Sequence, residues 1–242
     1  MTSRLRSFLA LSFSAICLVS GLAHGAPRDA ISAVSPAACA DMVRRHVLSA
    51  RPAVGCDRLA IVRVSYVDFA GTVREGHICV LDVLAEPVAN IFAALLRQRF
   101  PIESVRLMNE FDGDDDASIA QNNTSAFNDR NVAGTASVST HAYGAAIDLN
   151  PVQNPAIEMV NGQRVVSPPS GRTFLDRTRA APGMAERVRP IFRRYGFTEW
   201  GGVWRLKDYQ HFQVPRKIIS QLTVVSREDG ERIFSRFLAT VR

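Results

Sequence analysis

The sequence predicts an α+β fold: a small, mostly antiparallel sheet with flanking helices. Segments that alternate apolar and polar residues are interspersed with segments whose apolar residues recur at helical spacing, without a regular strand–helix–strand rhythm. With 242 residues, of which 47% are apolar and 21% charged, the chain is long enough for one sizeable core and has the composition of an ordinary globular protein.

Hydrophobic periodicity predicts two helices and three strands in the first half of the chain. In order, these are a helix over 38–50, strands over 59–69 and 76–84, a helix over 86–100 and a strand over 103–109. Gly71 lies in the turn between the first two strands, so these strands form a hairpin. Pro101 ends the second helix.

The second half begins with a polar stretch, residues 110–136, in which acids and then Asn, Thr, Ser and Gly show little periodicity. A stretch this long without regular structure is either disordered or functional. The elements predicted after it are a short apolar segment over 145–149, a hairpin around Asn161 and Gly162, a helix over 184–195, a strand over 204–214 and an amphipathic helix over 227–241.

The N-terminal residues have the layout of a secretory signal peptide. Arg4 and Arg6 precede an apolar run over 8–19, and small residues lead to a cleavage site near Gly25. A membrane anchor is the alternative, but the run is shorter than the roughly 20 residues that span a bilayer. We therefore expect a periplasmic or secreted protein, not stably inserted in a membrane after cleavage.

Loss of residues 1–25 would lower the net charge from +6 to +4, because the segment has two arginines and no acids. A modest positive charge suits an anionic polymer such as cell-wall material. The chain has no dense basic block with interleaved aromatic residues, so nucleic acid is not an expected partner.

Three cysteines follow the predicted cleavage site, and an oxidising compartment permits a disulfide between two of them. Cys39 and Cys56 flank a short polar stretch and are the favoured pair. Cys79 lies in an apolar run, where a buried free thiol is usual. The odd number of cysteines leaves this choice open.

Two histidines have neighbours that favour a metal site. A catalytic zinc takes three ligands from His, Asp, Glu or Cys and keeps one position for water. A turn at Tyr143 and Gly144, followed by a short strand, would bring His141 and Asp148 together, and His211 would come from a neighbouring strand. The sequence therefore predicts one Zn²⁺ per chain on His141, Asp148 and His211.

Asp208, three residues before His211, is the candidate general base that takes a proton from water and passes it to the leaving amine. Arg130 is the candidate that holds the oxyanion or a substrate carboxylate. The residues predicted to bind substrate or support the ligands are Ser125, Ser139, Tyr143, Trp200 and Trp204, with Ser139 expected to orient a ligand. Taken singly, each of these spacings also occurs by chance, and the two tryptophans are equally compatible with a packed aromatic corner.

The pattern Ser-x-His-x-x-Gly-x-Ala-x-Asp is met in full by Ser139, His141, Gly144, Ala146 and Asp148. In this the chain resembles the zinc peptidase family of D-alanyl-D-alanine carboxypeptidases and L-alanyl-D-glutamate endopeptidases. Its Trp-Gly-Gly-x-Trp and Asp-x-x-His-Phe segments are similar to the branch with endolysin-type and cell-wall-recycling endopeptidases. The resemblance implies the zinc ligands named above, Asp208 as base, and the small α+β domain shared with hedgehog signalling domains.

The resemblance also implies a substrate, the stem peptides of peptidoglycan, with the L-Ala–D-Glu bond favoured over D-Ala-D-Ala. No obligate protein partner is implied. The predicted organisation is a signal peptide (1–25), an N-terminal extension (26–75), the zinc peptidase domain (76–215) and a C-terminal helical segment (216–242). Two alternatives remain: a wall-binding or partner-binding module without turnover, and a structural zinc domain that unfolds on chelation.

Overall fold

The computed structural model describes residues 30–132 and 134–241, so the predicted signal peptide lies outside the described residues. The helices are α1 (Pro36–Arg44), α2 (Ala85–Arg97), α3 (Asp115–Ala120), α4 (Arg189–Arg194), α5 (Arg216–Leu222) and α6 (Arg227–Val241). The strands are β1 (Ile31–Ala33), β2 (Leu59–Val67), β3 (Val73–Leu81), β4 (Ser104–Val105), β5 (Asn123–Thr124), β6 (Ala146–Asp148), β7 (Ala156–Val160), β8 (Gln163–Ser167), β9 (Glu199–Trp200) and β10 (His211–Gln213). Helices and small, mainly antiparallel sheets confirm the α+β fold.

The larger sheet has the order β1–β2–β3 and is antiparallel throughout. β2 and β3 form the predicted hairpin, paired from Leu59 opposite Leu81 to Val67 opposite Val73. Helix α2 packs against β2 with one apolar face, on which Ile91 is fully buried. This sheet and helix form the centre of the hydrophobic core.

A second sheet, of order β6–β10–β9, is also antiparallel. The loop before β6 attaches it to the larger sheet, because Leu81 N donates to Gly144 O at 3.0 Å. Gly144 has φ of 61°, and a Cβ there would lie 2.4 Å from Leu81 N. Both its backbone conformation and this close approach therefore require glycine. The turn predicted at this position is present.

One cluster of buried side chains includes Met42 of α1, Phe92 of α2, Phe212 of β10 and Phe234 of α6. The predicted N-terminal extension and C-terminal segment thus contribute to the same core as the segment between them. The domain boundaries at 75 and 215 remain predictions from the sequence. Among the described residues, no helix is long and apolar enough to cross a membrane.

The cysteines pair as favoured: Cys39 and Cys56 form a disulfide. Cys79 is a buried free thiol, and burial raises its pKa to about 12. The disulfide joins α1 to the turn before β2, on the side of the larger sheet.

The prediction that residues 110–136 lack regular structure is wrong in part. This stretch contains α3 and β5, and β5 pairs in parallel with β4. The acids that showed little periodicity form the start of this helix, because the Asp114 side chain accepts a hydrogen bond from Ala117 N at 3.0 Å. The strand predicted over 103–109 is correspondingly short, since it pairs only where β5 lies beside it.

Three other predicted elements are shorter than expected. The strand over 204–214 forms only at β10, because Gly201 O accepts from both Trp204 N and Asp208 N and folds the intervening segment into turns. The helix over 38–50 ends at Arg44, where His46 turns the chain with φ of 59°. The helix over 184–195 begins only at Arg189. Pro190 then lies in the first turn, where the missing backbone N–H of proline costs no hydrogen bond. Helix α5 lies within the predicted C-terminal helical segment (216–242) but was not predicted as a separate helix, whereas α6 matches its prediction.

Candidate metal centre

Three buried side chains meet between β6, β10 and the helical turn before β6: His141, Asp148 and His211. Each imidazole faces one carboxylate oxygen of Asp148 at 3.1 Å, through His141 Nε2 and His211 Nδ1. The two imidazole nitrogens are 3.2 Å apart. Ligands about 2.0–2.1 Å from a tetrahedral metal lie about 3.3–3.4 Å from one another, so these separations fit a single divalent ion.

His141 is held from both sides. The Ser139 side chain accepts from His141 N at 3.3 Å and caps the single turn of 3₁₀ helix over Thr140–Tyr143. The ring Nδ1 donates to Ala126 O at 2.6 Å. Because a carbonyl oxygen can only accept, Nδ1 carries the proton, and Nε2 presents its lone pair to the centre.

Strand register brings the other two ligands together. His211 of β10 lies directly opposite Asp148 of β6. Side chains at opposite positions of an antiparallel pair point to the same face and lie about 5 Å apart at Cβ. Residues 63 positions apart in the chain thereby become neighbours. Ser125 supports β6 by exchanging backbone hydrogen bonds with Asp148, at 3.1 and 2.9 Å.

The electrostatics of the cluster favour an ionised Asp148 carboxylate beside a cationic or metal-bound His211. Burial opposes ionisation of Asp148, but the charges and hydrogen bonds of His141 and His211 hold its pKa far below the usual range. For His211, burial lowers the pKa, but the hydrogen bond and charge of Asp148 outweigh it and raise the pKa to about 9. Without a metal, His211 is therefore protonated at Nδ1, the ring nitrogen that would bind the metal.

Asp208 lies beside this cluster, since its backbone oxygen accepts from His211 N at 3.4 Å. Its Oδ1 is shielded from solvent and has no hydrogen-bond partner within the described part of the chain. Burial raises the pKa of Asp208 to about 6, against the opposing charge of His211. A buried carboxylate oxygen without a partner, next to the ligands, can accept a proton from a molecule that enters the site.

Arg130 lies close in the chain to the site but is engaged elsewhere. Its backbone oxygen accepts from Ser139 N at 3.0 Å. Its guanidinium pairs with Asp115 Oδ2 at 2.5 Å, while its buried Nε makes no hydrogen bond to any described residue. The structure does not join Arg130 to the ligands, and its assignment to substrate binding remains a prediction.

The three aromatic candidates differ in exposure. Trp204 is 38% exposed, and its ring centroid lies 5.3 Å from that of His211, so it forms an apolar wall at the centre. Trp200 is buried, stacks on Phe212 and donates from Nε1 to Tyr209 O at 2.8 Å. It therefore orients the segment around Asp208 rather than contacting a ligand. Tyr143 is half-buried.

Two polar residues near His211 were missed by sequence reasoning. Gln213 Oε1 lies 2.8 Å from His211 Nε2, and Gln213 Nε2 donates to Glu199 at 2.5 Å. Gln213 lies two positions after His211 in the same strand and therefore on the same face. The strand predicted over 204–214 contains both residues, so this signal was present in the sequence. Glu199 carries no sequence signal, because its proximity depends on pairing between β9 and β10.

Comparison with known families agrees with this geometry. A family model described as D-alanyl-D-alanine carboxypeptidase matches residues 133–214. The matched segment contains the three candidate ligands and Asp208, and it confirms the resemblance seen in the sequence. Arg130 and Ser125 lie before it. No curated protein and no solved structure matches the chain significantly.

Proposed function

We propose that this chain is an exported zinc peptidase that hydrolyses an amide bond in the stem peptide of peptidoglycan. The observation that carries the proposal is the convergence of His141 Nε2, His211 Nδ1 and the Asp148 carboxylate at 3.1–3.2 Å. Beside them lies Oδ1 of Asp208, which has no hydrogen-bond partner among the described residues. Two imidazoles and one carboxylate are a ligand set of catalytic zinc, which keeps one position open.

The donor chemistry fits zinc, and the peptidase family match supports the same choice. Zinc bound by His141, Asp148 and His211 would supply Lewis acidity and make water a usable nucleophile near neutral pH. A structural zinc site would instead be closed by a fourth protein ligand. Within the described part of the chain, the cluster contains only these three His, Cys, Asp or Glu side chains.

Asp208 would serve as general base and then general acid. As a carboxylate, its Oδ1 takes the proton from the attacking water while the hydroxyl oxygen adds to the scissile carbonyl carbon. It returns that proton to the amine nitrogen as the C–N bond breaks, which leaves a neutral amine, a carboxylic acid and ionised Asp208. The carboxylic acid then loses its remaining proton to the amine, so the products are a carboxylate and an ammonium group. The raised pKa of Asp208, about 6, suits both halves of the cycle near neutral pH.

Substrate binding is assigned to Trp204 and Arg130. The exposed face of Trp204 beside His211 offers an apolar surface to a side chain next to the scissile bond. Arg130 carries a buried Nε that forms no hydrogen bond within the described ranges, and it would bind a stem-peptide carboxylate in exchange for part of its pairing with Asp115. The modest positive charge of the chain is compatible with an anionic wall polymer.

The bond favoured for cleavage is L-Ala–D-Glu, on the resemblance of the Trp-Gly-Gly-x-Trp and Asp-x-x-His-Phe segments to the endopeptidase branch. The printed description of the matching family favours the second candidate, removal of the terminal D-Ala. Mass spectrometry of defined muropeptides separates the two activities. The first releases a peptide that begins with D-Glu, and the second releases free D-alanine.

The decisive experiment incubates the purified protein with muropeptides, with zinc or with a chelator, and compares Asp208→Asn with the exposed-site control Asp176→Asn. We expect hydrolysis only with metal, a loss of at least about 10²-fold in Asp208→Asn, and no change in the control. Hydrolysis that survives chelation, or full activity of Asp208→Asn, would contradict the mechanism. Zinc and muropeptide binding without new amine termini would favour the non-catalytic binding module.

A further inference from the structure

His211 lies between two different sets of groups. Its Nδ1 faces Asp148 and His141, while its Nε2 faces Gln213 at 2.8 Å and the Thr140 hydroxyl at 3.4 Å. His211 and Gln213 occupy the same face of β10 because they are two residues apart. Glu199 is the direct partner of Gln213 in the neighbouring strand, so its side chain reaches the same face. The three side chains form a line: Glu199, Gln213, His211.

The carboxylate of Glu199 determines which way the Gln213 amide is oriented. The oxygen and the nitrogen of a side-chain amide have similar shapes, so the hydrogen-bonding groups around the amide determine which of the two atoms faces which neighbour. A carboxylate can only accept, so Gln213 turns Nε2 towards Glu199, at 2.5 Å. Oε1 must then face His211, and the Thr140 hydroxyl donates to the same oxygen at 3.0 Å.

The amide in turn determines the protonation of the imidazole. Oε1 of Gln213 accepts only, so His211 Nε2 must carry a hydrogen, at a separation of 2.8 Å. When a metal displaces the other ring proton, the free lone pair is therefore on Nδ1. His141 reaches the equivalent state with Ala126 O, a backbone group that no substitution removes. For His211 the same function depends on two replaceable side chains.

We propose that Gln213 and Glu199 are positioning residues that select Nδ1 of His211 as its metal-binding nitrogen. The inference rests on the metal site of the proposed function, but it does not depend on the reaction or on which bond is cut. Gln213 is 6% exposed, so water does not readily replace its amide. Without it, the ring would lose its nearer acceptor for the Nε2 proton and would keep only the more distant Thr140 hydroxyl.

The test compares zinc dissociation constants in competition with a chromophoric chelator. Gln213→Leu removes the acceptor and should weaken zinc binding about 10- to 100-fold. Glu199→Gln keeps the volume but lets the amide turn over, so it should weaken binding less. Gln98→Leu, at an exposed glutamine after α2, is the matched control and should bind zinc as the wild type does.

The double variant E199Q/Q213E, in which the two side chains are exchanged, distinguishes a role in positioning His211 from a role in packing alone. A carboxylate at position 213 accepts from His211 Nε2 and from the amide at position 199, so the imidazole keeps its proton on Nε2. We expect the pair to restore zinc affinity to within about threefold of the wild type. In zinc-loaded protein with ¹⁵N-labelled histidine, ¹⁵N–¹H correlation spectra should show protonated Nε2 for the wild type and the pair, and mixed ring states for Gln213→Leu.

The proposal fails if Gln213→Leu binds zinc as tightly as the wild type with Nε2 still protonated, or if the exchanged pair binds as weakly as Gln213→Leu. If Gln213→Leu does not fold in the metal-free state, Glu199→Gln and the exchanged pair decide the question. Zinc binding without hydrolysis of muropeptides would reject the peptidase activity and leave this assignment intact. A wild-type protein that binds no zinc would reject both.

Discussion

The two three-stranded sheets of this protein have the same antiparallel pairing but differ in the residues that they bury. In β1–β2–β3, the buried positions are apolar, and Val62, Val80 and Leu81 are all 0% exposed. In β6–β10–β9, the buried positions include Asp148 and His211, which are 4% and 7% exposed. Burial of apolar groups stabilises a fold, whereas burial of ionisable groups costs free energy unless they are paired or bind metal. Both sheets contribute to the core, the second through residues such as Phe212, but only the second also buries the ionisable groups of the site.

Hydrogen bonds from strand β3 hold the segments that carry and orient the candidate ligand His141. Leu81, the last residue of β3, donates to Gly144 in the loop that leads from His141 to Asp148. Cys79 O of the same strand accepts from Phe127 N at 3.0 Å, next to the carbonyl that orients His141. The apolar sheet thus sets the position of His141. Perturbing the two sheets separately tests how far stability and metal binding are divided between them.

The largest expected effect is stabilisation by zinc, because it relieves the buried charges of the second sheet. Zinc at about a thousand times its dissociation constant should raise the free energy of unfolding by about 4 kcal/mol, or Tm by about 10 °C. His211→Ala should abolish the shift, whereas His77→Ala, at an exposed histidine of β3, should retain it. Calorimetry with and without zinc measures both. A full shift in His211→Ala would place the metal elsewhere.

Gly144→Ala should break the contact between the sheets. The substitution forces a side chain into a conformation with φ of 61° and brings its Cβ to 2.4 Å from Leu81 N. Together these should lower the free energy of unfolding by about 3 kcal/mol. Gly162 has φ of 77°, and a Cβ there would meet nothing within 4 Å, so Gly162→Ala introduces backbone strain without a steric clash. It should lower the free energy of unfolding by about 1 kcal/mol. Equal urea midpoints for the two variants would refute the steric argument.

Removal of the disulfide should affect stability without affecting metal binding. Cys39 and Cys56 are 17 residues apart, and a loop of that size contributes about 2 to 3 kcal/mol. The double variant Cys39→Ser/Cys56→Ser should lose that amount in urea denaturation and keep its zinc dissociation constant. Reduction of the wild type is the control and should give the same loss. A changed zinc affinity would show that the two sheets are more tightly coupled than their contacts indicate.

The smallest effect concerns the proton that zinc displaces. In the metal-free protein the pKa of His211 is raised to about 9, so its imidazole is protonated at pH 7. Zinc must expel that proton, and competition weakens as pH rises through 9. Zinc affinity should therefore increase about tenfold per pH unit between 7 and 9, about 1.4 kcal/mol per unit, and then level off. Titration calorimetry in buffers of different ionisation enthalpy should detect about one proton released at pH 7.

Sequence reasoning was accurate where local pattern is sufficient. The alternation of β2 and the periodicity of α6 identify these elements nearly to the residue. It was inaccurate where a single long-range contact decides the outcome. The segment from Trp204 to Gln210 has the composition of a strand, but Gly201 O folds it into turns. The acids after Phe111 resemble a solvated loop, but Asp114 caps a helix there.

By itself, the sequence determined the α+β class and the identity of three ligand candidates, because a turn with small residues between His141 and Asp148 is a local constraint. It also specified the candidate base, through its fixed spacing from His211. Only the tertiary structure decided that Glu199, Gln213 and His211 form one line, and that Arg130 pairs with Asp115. These relationships depend on strand register and on contacts between distant segments. No short-range periodicity encodes them, because hydrogen-bond partners are chosen only when the chain has folded.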